Sequence, residues 1–189
     1  MSGIAHYIQQ VCAEAAIPLQ QLHAVAVSAG PGSYTGLRIG TSIAKGICQA
    51  GNIPLLAINT LEAMISGAAL KLGDPDAYFC PLIDARRMEV YTMLGDAKGK
   101  TTVAPFAYVV EQPAFDWIPQ DKLCYCFGSG AAKCAEHLPA NCKVASDYAI
   151  TAEHLHRLAF QQFSAGKFAD LAYFEPEYLK EFYTPVKKP

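Results

Sequence analysis

The stretch SAGPGSYTGLRIG, Ser28 to Gly40, decides how this chain is read. A short apolar run, Ala24 to Val27, precedes it, and a helical pattern over Gly36 to Ala50 follows, closed by Gly51-Asn52. Strand, glycine loop and helix together suit an anion, because a helix N-terminus offers unpaired N–H groups and a favourable dipole. The spacing fails the two common nucleotide templates. A Walker A loop needs Lys-Ser or Lys-Thr after its second glycine, whereas Leu37-Arg38 follow Gly36. The dinucleotide fingerprint fails as well, since Gly36 comes one residue too late after Gly30-Pro31-Gly32. Two readings stay open for the loop. Ser33 and Thr35 either cap the helix or donate to an oxyanion, with Pro31 stiffening the turn and Gly36 allowing close packing.

The helix beyond the loop is more informative. Gly36, Gly40 and Ala44 recur every fourth residue as a flat stripe, beside an apolar ridge of Ile39, Ile43 and Ile47. Each interior glycine costs about 0.8–1.0 kcal/mol of helix propensity relative to alanine. That cost is reasonable where another backbone approaches closely, from the first helix or from a partner. The first helix is expected over residues 3–16, with Ile4, Ile8, Val11, Cys12 and Ala15 at helical spacing and Pro18 ending it.

Downstream, PLLAIN is expected to be a second strand, and Asn59 or Thr60 to cap a helix containing Leu61, Met64 and Ile65. Gly73-Asp-Pro-Asp76 is the expected boundary between a first lobe, residues 1–72, and a second, residues 73–189. The second begins with strands AYFCPLID and MEVYTML, joined at Ala85-Arg86-Arg87, followed by TTVAPFAYVV. KLCYCF then runs into Gly128-Ser129-Gly130 and a short helix, echoing the strand–glycine–helix plan. A long helix is expected over 151–165. This alternation indicates an α/β fold with partly parallel sheets.

Composition narrows the function. The chain has 189 residues, of which 52% are hydrophobic and 17% charged, with a formal charge of −2. That profile folds, and a membrane span of ~18 apolar residues is absent. No signal-peptide pattern opens the chain, so the cytoplasm is the expected compartment. Basic residues are scattered, so a direct grip on nucleic acid is not expected. The seven cysteines contain no C-x-x-C pair. Cys124 and Cys126 alternate in a strand with both thiols on one side, and are expected to be buried and reduced rather than a zinc site or catalytic thiol. No two of His6, His23, His137, His154 and His156 lie four apart, and His154-x-His156 is expected on the surface. No G-x-S-x-G elbow is present. Asp84, Arg86 and Glu89 are expected to stabilise a turn, and Tyr173, Phe174 and Tyr178 to pack between lobes.

The motif GPGSYTGLRIG…AKG resembles the signature of the TsaB (YeaZ) family, with further agreement at Ile83-Asp-Ala-Arg86…Glu89-Val-Tyr91, Phe127-Gly-Ser-Gly130 and Glu175-Pro-Glu-Tyr-Leu-Lys180. The resemblance implies an actin-like ATPase fold of two RNase H-like lobes, in a glycoprotease-like paralogue of TsaD. It also implies a non-catalytic dimerisation subunit without cofactor or metal. Such a subunit binds the TsaD-like transferase, which modifies tRNA next to the anticodon, and the assembly recruits a TsaE-like ATPase. Contact with tRNA would come only through the complex, and a homodimer could use the same face. The implied interface comprises Ile4, Ile8, Val11, Gly36, Leu37, Ile39, Gly40, Ile43, Ala44 and Ile47, and the motif turn Gly30, Pro31, Gly32, Ser33, Thr35 and Arg38. An active glycoprotease-like or kinase-like ATPase is the alternative.

One departure from the family pattern is expected to matter. Its members open with a three-stranded unit, beginning like ILAIDT or ILHIETS, that carries the first phosphate loop, whereas Met1 falls where their first helix starts. A shortened first lobe is therefore expected, holding only the strands near 24–28 and 54–58 and unable to bind ATP alone. The DNA upstream of Met1 is expected to continue in frame with that unit.

Overall fold

The computed structural model describes residues 3–111 and 114–180. Helix α1 spans Ile4–Glu14. After it come strand β1 (Val25–Gly30), helix α2 (Tyr34–Gly51), strand β2 (Leu55–Asn59) and helix α3 (Thr60–Leu72). Strands β3 (Tyr78–Asp84), β4 (Glu89–Asp96) and β5 (Thr101–Val109) follow. The described chain continues through β6 (Cys124–Phe127), the short α4 (Ala131–Cys134), β7 (Cys142–Val144) and α5 (His156–Ser164).

Two sheets result. β1 and β2 pair in parallel, with α2 as their crossover. The second sheet has the order β5-β4-β3-β6-β7, antiparallel across β3, β4 and β5 and parallel across β3, β6 and β7. The echo between the two strand–glycine–helix units is real: β1 and β6 each run into a glycine of positive φ, Gly30 at 110° and Gly128 at 108°.

Helix α3 joins the layers. Leu61, Met64, Ile65 and Ala68 pack with Phe79, Met93, Phe127 and Tyr148 of the second unit, while Ala63 packs with Leu56 and Ile58 of β2. A helix apolar on most of its surface belongs inside a fold. Its start is the expected one: the Asn59 side chain accepts from the N–H groups of Leu61 at 2.9 Å and Glu62 at 3.2 Å. The opposite face of the second sheet is covered too, by Phe115, Ile118, Ala131 and Cys134. Burial on both faces explains why β3 reads as a continuous apolar run rather than an alternation.

Several expectations need amendment. Helix α2 begins at Tyr34, two residues early, because Ser33 supplies the cap. The expected helix over 151–165 opens as a tight 3₁₀ turn, Ala152–Leu155, before α5 begins. Strand β7, only three residues long, was not foreseen. Residues beyond Leu155 also return to the first layer. Leu155, Leu158 and Ala159 pack against Leu56 and Ile58; Ala169, Leu171 and Phe174 pack against Ala44, Cys48 and Leu55. The two sheets lie on either side of 72/73 in sequence, whereas the returning segment's apolar side chains fill the β1–β2 layer.

Candidate functional site

The glycine loop is built around a backbone crossing. Glu177 N–H donates to the Ala29 carbonyl at 2.7 Å, and a Cβ on Gly30 would lie 2.5 Å from the Glu177 carbonyl oxygen. Only glycine fits there, and its φ of 110° independently disfavours any side chain. Two stretches quoted from opposite ends of the chain, Gly30-Pro-Gly and Glu175-Pro-Glu, thus meet. Lys45, from the same motif, donates to the carbonyls of Ala172 at 3.1 Å and Phe174 at 3.2 Å.

The loop's hydroxyls separate. Ser33 Oγ accepts from the Gly36 N–H at 3.3 Å and caps α2. Thr35 sits inside the first turn, so the expectation that it caps is corrected. Charge around the loop is unfavourable to an anion. The Glu177 carboxylate accepts from Asn59 Nδ2 at 3.4 Å, and the Glu62 carboxyl is held above its ordinary value, first by desolvation and then by the charge of Glu177. Arg38 lies over the Tyr34 ring at 4.7 Å, and Tyr34 meets Tyr178 at 5.0 Å. The cation is thus drawn to the aromatic pair on the outer surface.

Helices α1 and α2 lie together and form one face. Leu37, Thr41, Ala44 and Cys48 of α2 are buried. Leu37 and Ala44, assigned to the partner interface from the sequence, are thereby corrected: Leu37 packs near Gly30 and Gly32, and Ala44 lies in the β1–β2 core. Gly40 is half-buried, a Cβ on it would lie 3.9 Å from a Val27 methyl, and one on Gly36 would meet Ser33. The small-residue stripe drifts from the outer surface to the inner one along the helix. It gives α2 a close seat on β1 rather than a flat outer face.

What α1 and α2 do expose is the apolar ridge. Ile39 is 45% exposed, Ile4 41%, Tyr7 61% and Val11 62%, with Ile8, Ile43 and Ile47 half-buried beside them. No residue of α1 is buried. Tyr7 belongs to this face and escaped the sequence reading, although its i, i+4 spacing to Val11 could have signalled it.

A second polar cluster lies where β3, β4 and α4 meet. Lys133 forms an ion pair with Asp84 and donates to the carbonyls of Arg87 at 2.9 Å and Glu89 at 2.7 Å. Arg86 N–H donates to Asp84 Oδ1 at 2.9 Å, Asp84 N–H donates to Ser129 Oγ at 3.0 Å, and Lys180 pairs with Glu89. The bond from Lys133 is the largest cause holding the Asp84 carboxyl below its ordinary value. Asp84 and Glu89 do form a turn network as expected, but its hub, Lys133, was missed. Three residues beyond Gly130, it is brought to the turn only by the β3–β6 pairing.

Other expectations divide. Cys124 and Cys126 do face one side, joined there by Cys142. His154 is packed rather than solvated: its ring stacks on Tyr148 at 5.0 Å, and Nδ1 accepts from the Thr151 N–H at 3.0 Å. Phe174 packs in the core, but Tyr173 is 84% exposed.

Comparison with known proteins places this arrangement. A family model described as TsaD, tRNA N6-adenosine threonylcarbamoyltransferase, matches residues 2–173. The chain is 40% identical over 75 residues to the tRNA threonylcarbamoyladenosine biosynthesis protein TsaB of Bacillus subtilis, covering 40% of this chain and 31% of that protein. It is 37% identical over 84 residues to TsaB of Escherichia coli, covering 44% and 36%. A tRNA N6-adenosine threonylcarbamoyltransferase of Legionella pneumophila is 35% identical over 98 residues, covering 47% and 29%. The aligned stretches thus span about a third of these curated relatives. Among solved structures, an uncharacterized Pseudomonas aeruginosa protein with similarity to peptidase YeaZ superposes with a TM-score of 0.78 at 25% identity, covering 92% of this chain and 81% of that one. YeaZ from Pseudomonas aeruginosa superposes at 0.77, also at 25% identity, covering 91% and 81%. The fold is therefore the α/β, actin-like fold with an RNase H-like sheet. The chain belongs to the TsaD family, on its TsaB/YeaZ branch.

Proposed function

We propose that the protein is a non-catalytic scaffold subunit that binds a TsaD-like threonylcarbamoyltransferase and supports threonylcarbamoyladenosine modification of tRNA next to the anticodon. The exposed ridge on α1 and α2 carries this reading. A stable helix of eleven residues with no buried side chain needs a surface to pack on, since isolated helices this short are marginal in water. Ile4, Tyr7, Val11 and Ile39 supply the apolar contact for a partner's helices. The same face serves a homodimer when the partner is absent.

The polar groups suit this assignment better than catalysis. Asp84 and Glu89 are each engaged by a lysine, and the glycine loop is braced by Glu177. The protein uses no cofactor, works in the cytoplasm, meets tRNA only through the complex and joins a TsaE-like ATPase there. The residue ranges 1–72 and 73–189 describe its two lobes, apart from the segment that returns to the first. Reconstitution tests the reading: purified TsaD-like and TsaE-like subunits and the enzyme that forms the threonylcarbamoyl-adenylate are assayed for modified tRNA with and without this chain. Modification that depends on the chain supports the scaffold role. Equal modification in its absence rejects it, and ATP turnover by the chain alone favours the enzymatic alternative.

A further inference from the structure

The second sheet carries a cluster of thiols that the scaffold role does not use. Of seven cysteines in the chain, four stand on three adjacent strands in register: Cys80 of β3 opposite Cys126 of β6, and Cys124 of β6 opposite Cys142 of β7. Cys124 and Cys126 are two apart, so both project from one face, and in-register partners on neighbouring parallel strands project from that face too. The sulfurs of Cys124, Cys126 and Cys142 lie within 4.8 Å of one another. Thiols used merely as small hydrophobes have no reason to converge in this way.

We propose that Cys124, Cys126 and Cys142 form a three-sulfur site for a soft monovalent metal ion, copper(I). Thiolate sulfur selects copper(I), zinc or iron–sulfur centres. A metal about 2.3 Å from three sulfurs in a trigonal plane sets them about 4 Å apart, a spacing the thiols already approach. Zinc in a structural site wants a fourth donor out of that plane. Cys80 touches the Cys124 and Cys126 thiols and Thr92 Oγ1, the last at 3.3 Å, but it stands on the far side of β6 from Cys142 and its sulfur does not lie within 4.8 Å of all three. Ile118 packs against the same cluster, and the Cys134 sulfur does not lie within 4.8 Å of all three. Among the described residues no histidine or carboxylate joins the three sulfurs. Copper(I), content with three ligands, matches what is there.

Access fits as well. Cys124 and Cys126 are fully buried, whereas Cys142 is half-buried on the short edge strand and gives the ion a way in. Cys142, the more exposed edge of the cluster, is thus the first ligand the ion meets, and each thiol that binds the ion as thiolate releases one proton to solvent.

The test titrates the reduced full chain anaerobically with copper(I) alone, following the near-ultraviolet sulfur-to-copper absorption and X-ray absorption at the copper edge. One ion per folded chain, bound by three sulfurs, is expected. Replacing the edge ligand, Cys142→Ser, should weaken binding by at least the ~100-fold that loss of an outer-shell partner alone can cost, whereas Cys12→Ser should leave it unchanged. Should Cys142→Ser fail to fold, protection of Cys142 from alkylation by copper(I) in the unaltered chain decides the same point. Absence of stoichiometric binding, full binding by a folded Cys142→Ser chain, or an unprotected Cys142 overturns the site. So does preferential zinc binding with the cobalt(II) spectrum of a four-coordinate centre.

Discussion

The backbone N–H of Glu177 bonds the carbonyl of Ala29 at 2.7 Å, so the returning segment is pinned across the glycine turn that opens α2. This crossing explains Gly30. Substitution Gly30→Ala places a methyl 2.5 Å from the Glu177 carbonyl at a φ of 110°. The expected loss is about 2–3 kcal/mol of stability, from strained backbone and displaced chain. Gly46, with nothing within 4 Å of its absent Cβ, is the contrast. On α2 the change Gly46→Ala should gain about 0.5–1 kcal/mol. Urea unfolding of both variants checks the pair.

Gly67 and His154 make a coupled prediction. A Cβ at Gly67 would lie 2.2 Å from the His154 ring, which is held by Tyr148 and Thr151. Alone, Gly67→Ala should destabilise by about 1–3 kcal/mol through overpacking. With His154→Ala added, the two losses should be markedly less than additive, because the second change empties the space the first one fills. A thermal-denaturation double-mutant cycle measures the coupling, and strict additivity would reject the contact.

Asp84 gives a pH dependence. Its carboxyl is held below the ordinary value of 3.8, chiefly by the bond from Lys133. A depressed folded value means the stabilisation is fully present above the unfolded value and is lost as pH falls through the folded one. The side chain is 49% exposed, so screening keeps the contribution under about 1 kcal/mol. The stability difference between the unaltered chain and Asp84→Asn should be constant near neutrality and shrink below about pH 4. A difference that grows as pH falls would contradict the pairing.

Much of the fold was legible because it is local. Strand–glycine–helix units announce themselves through Gly30 and Gly128, and Asn59 and Asn52 mark helix ends by their own side chain and left-handed backbone. What escaped depends on contacts distant in sequence. Strand β7 has three residues and exists only because β6 lies beside it. Lys133 becomes a hub only when β6 pairs with β3, and residues 155–174 give no local sign that they return to β1–β2. The apolar ridge was visible as periodicity. Which side of α2 faces β1 was not, so Leu37 and Ala44 were placed outside although they are buried.

On the proposed function, the exposed ridge on α1 and α2 is where a TsaD-like subunit binds. Ile39, outward on α2, tests it with least damage to the fold. Affinity for the TsaD-like subunit from the same organism is measured by calorimetry for the unaltered chain and for Ile39→Glu, with circular dichroism verifying folding. The expected result is a folded variant whose affinity falls by about thirtyfold or more, the loss of a central interface anchor of at least ~2 kcal/mol. A folded variant that binds with undiminished affinity would contradict it.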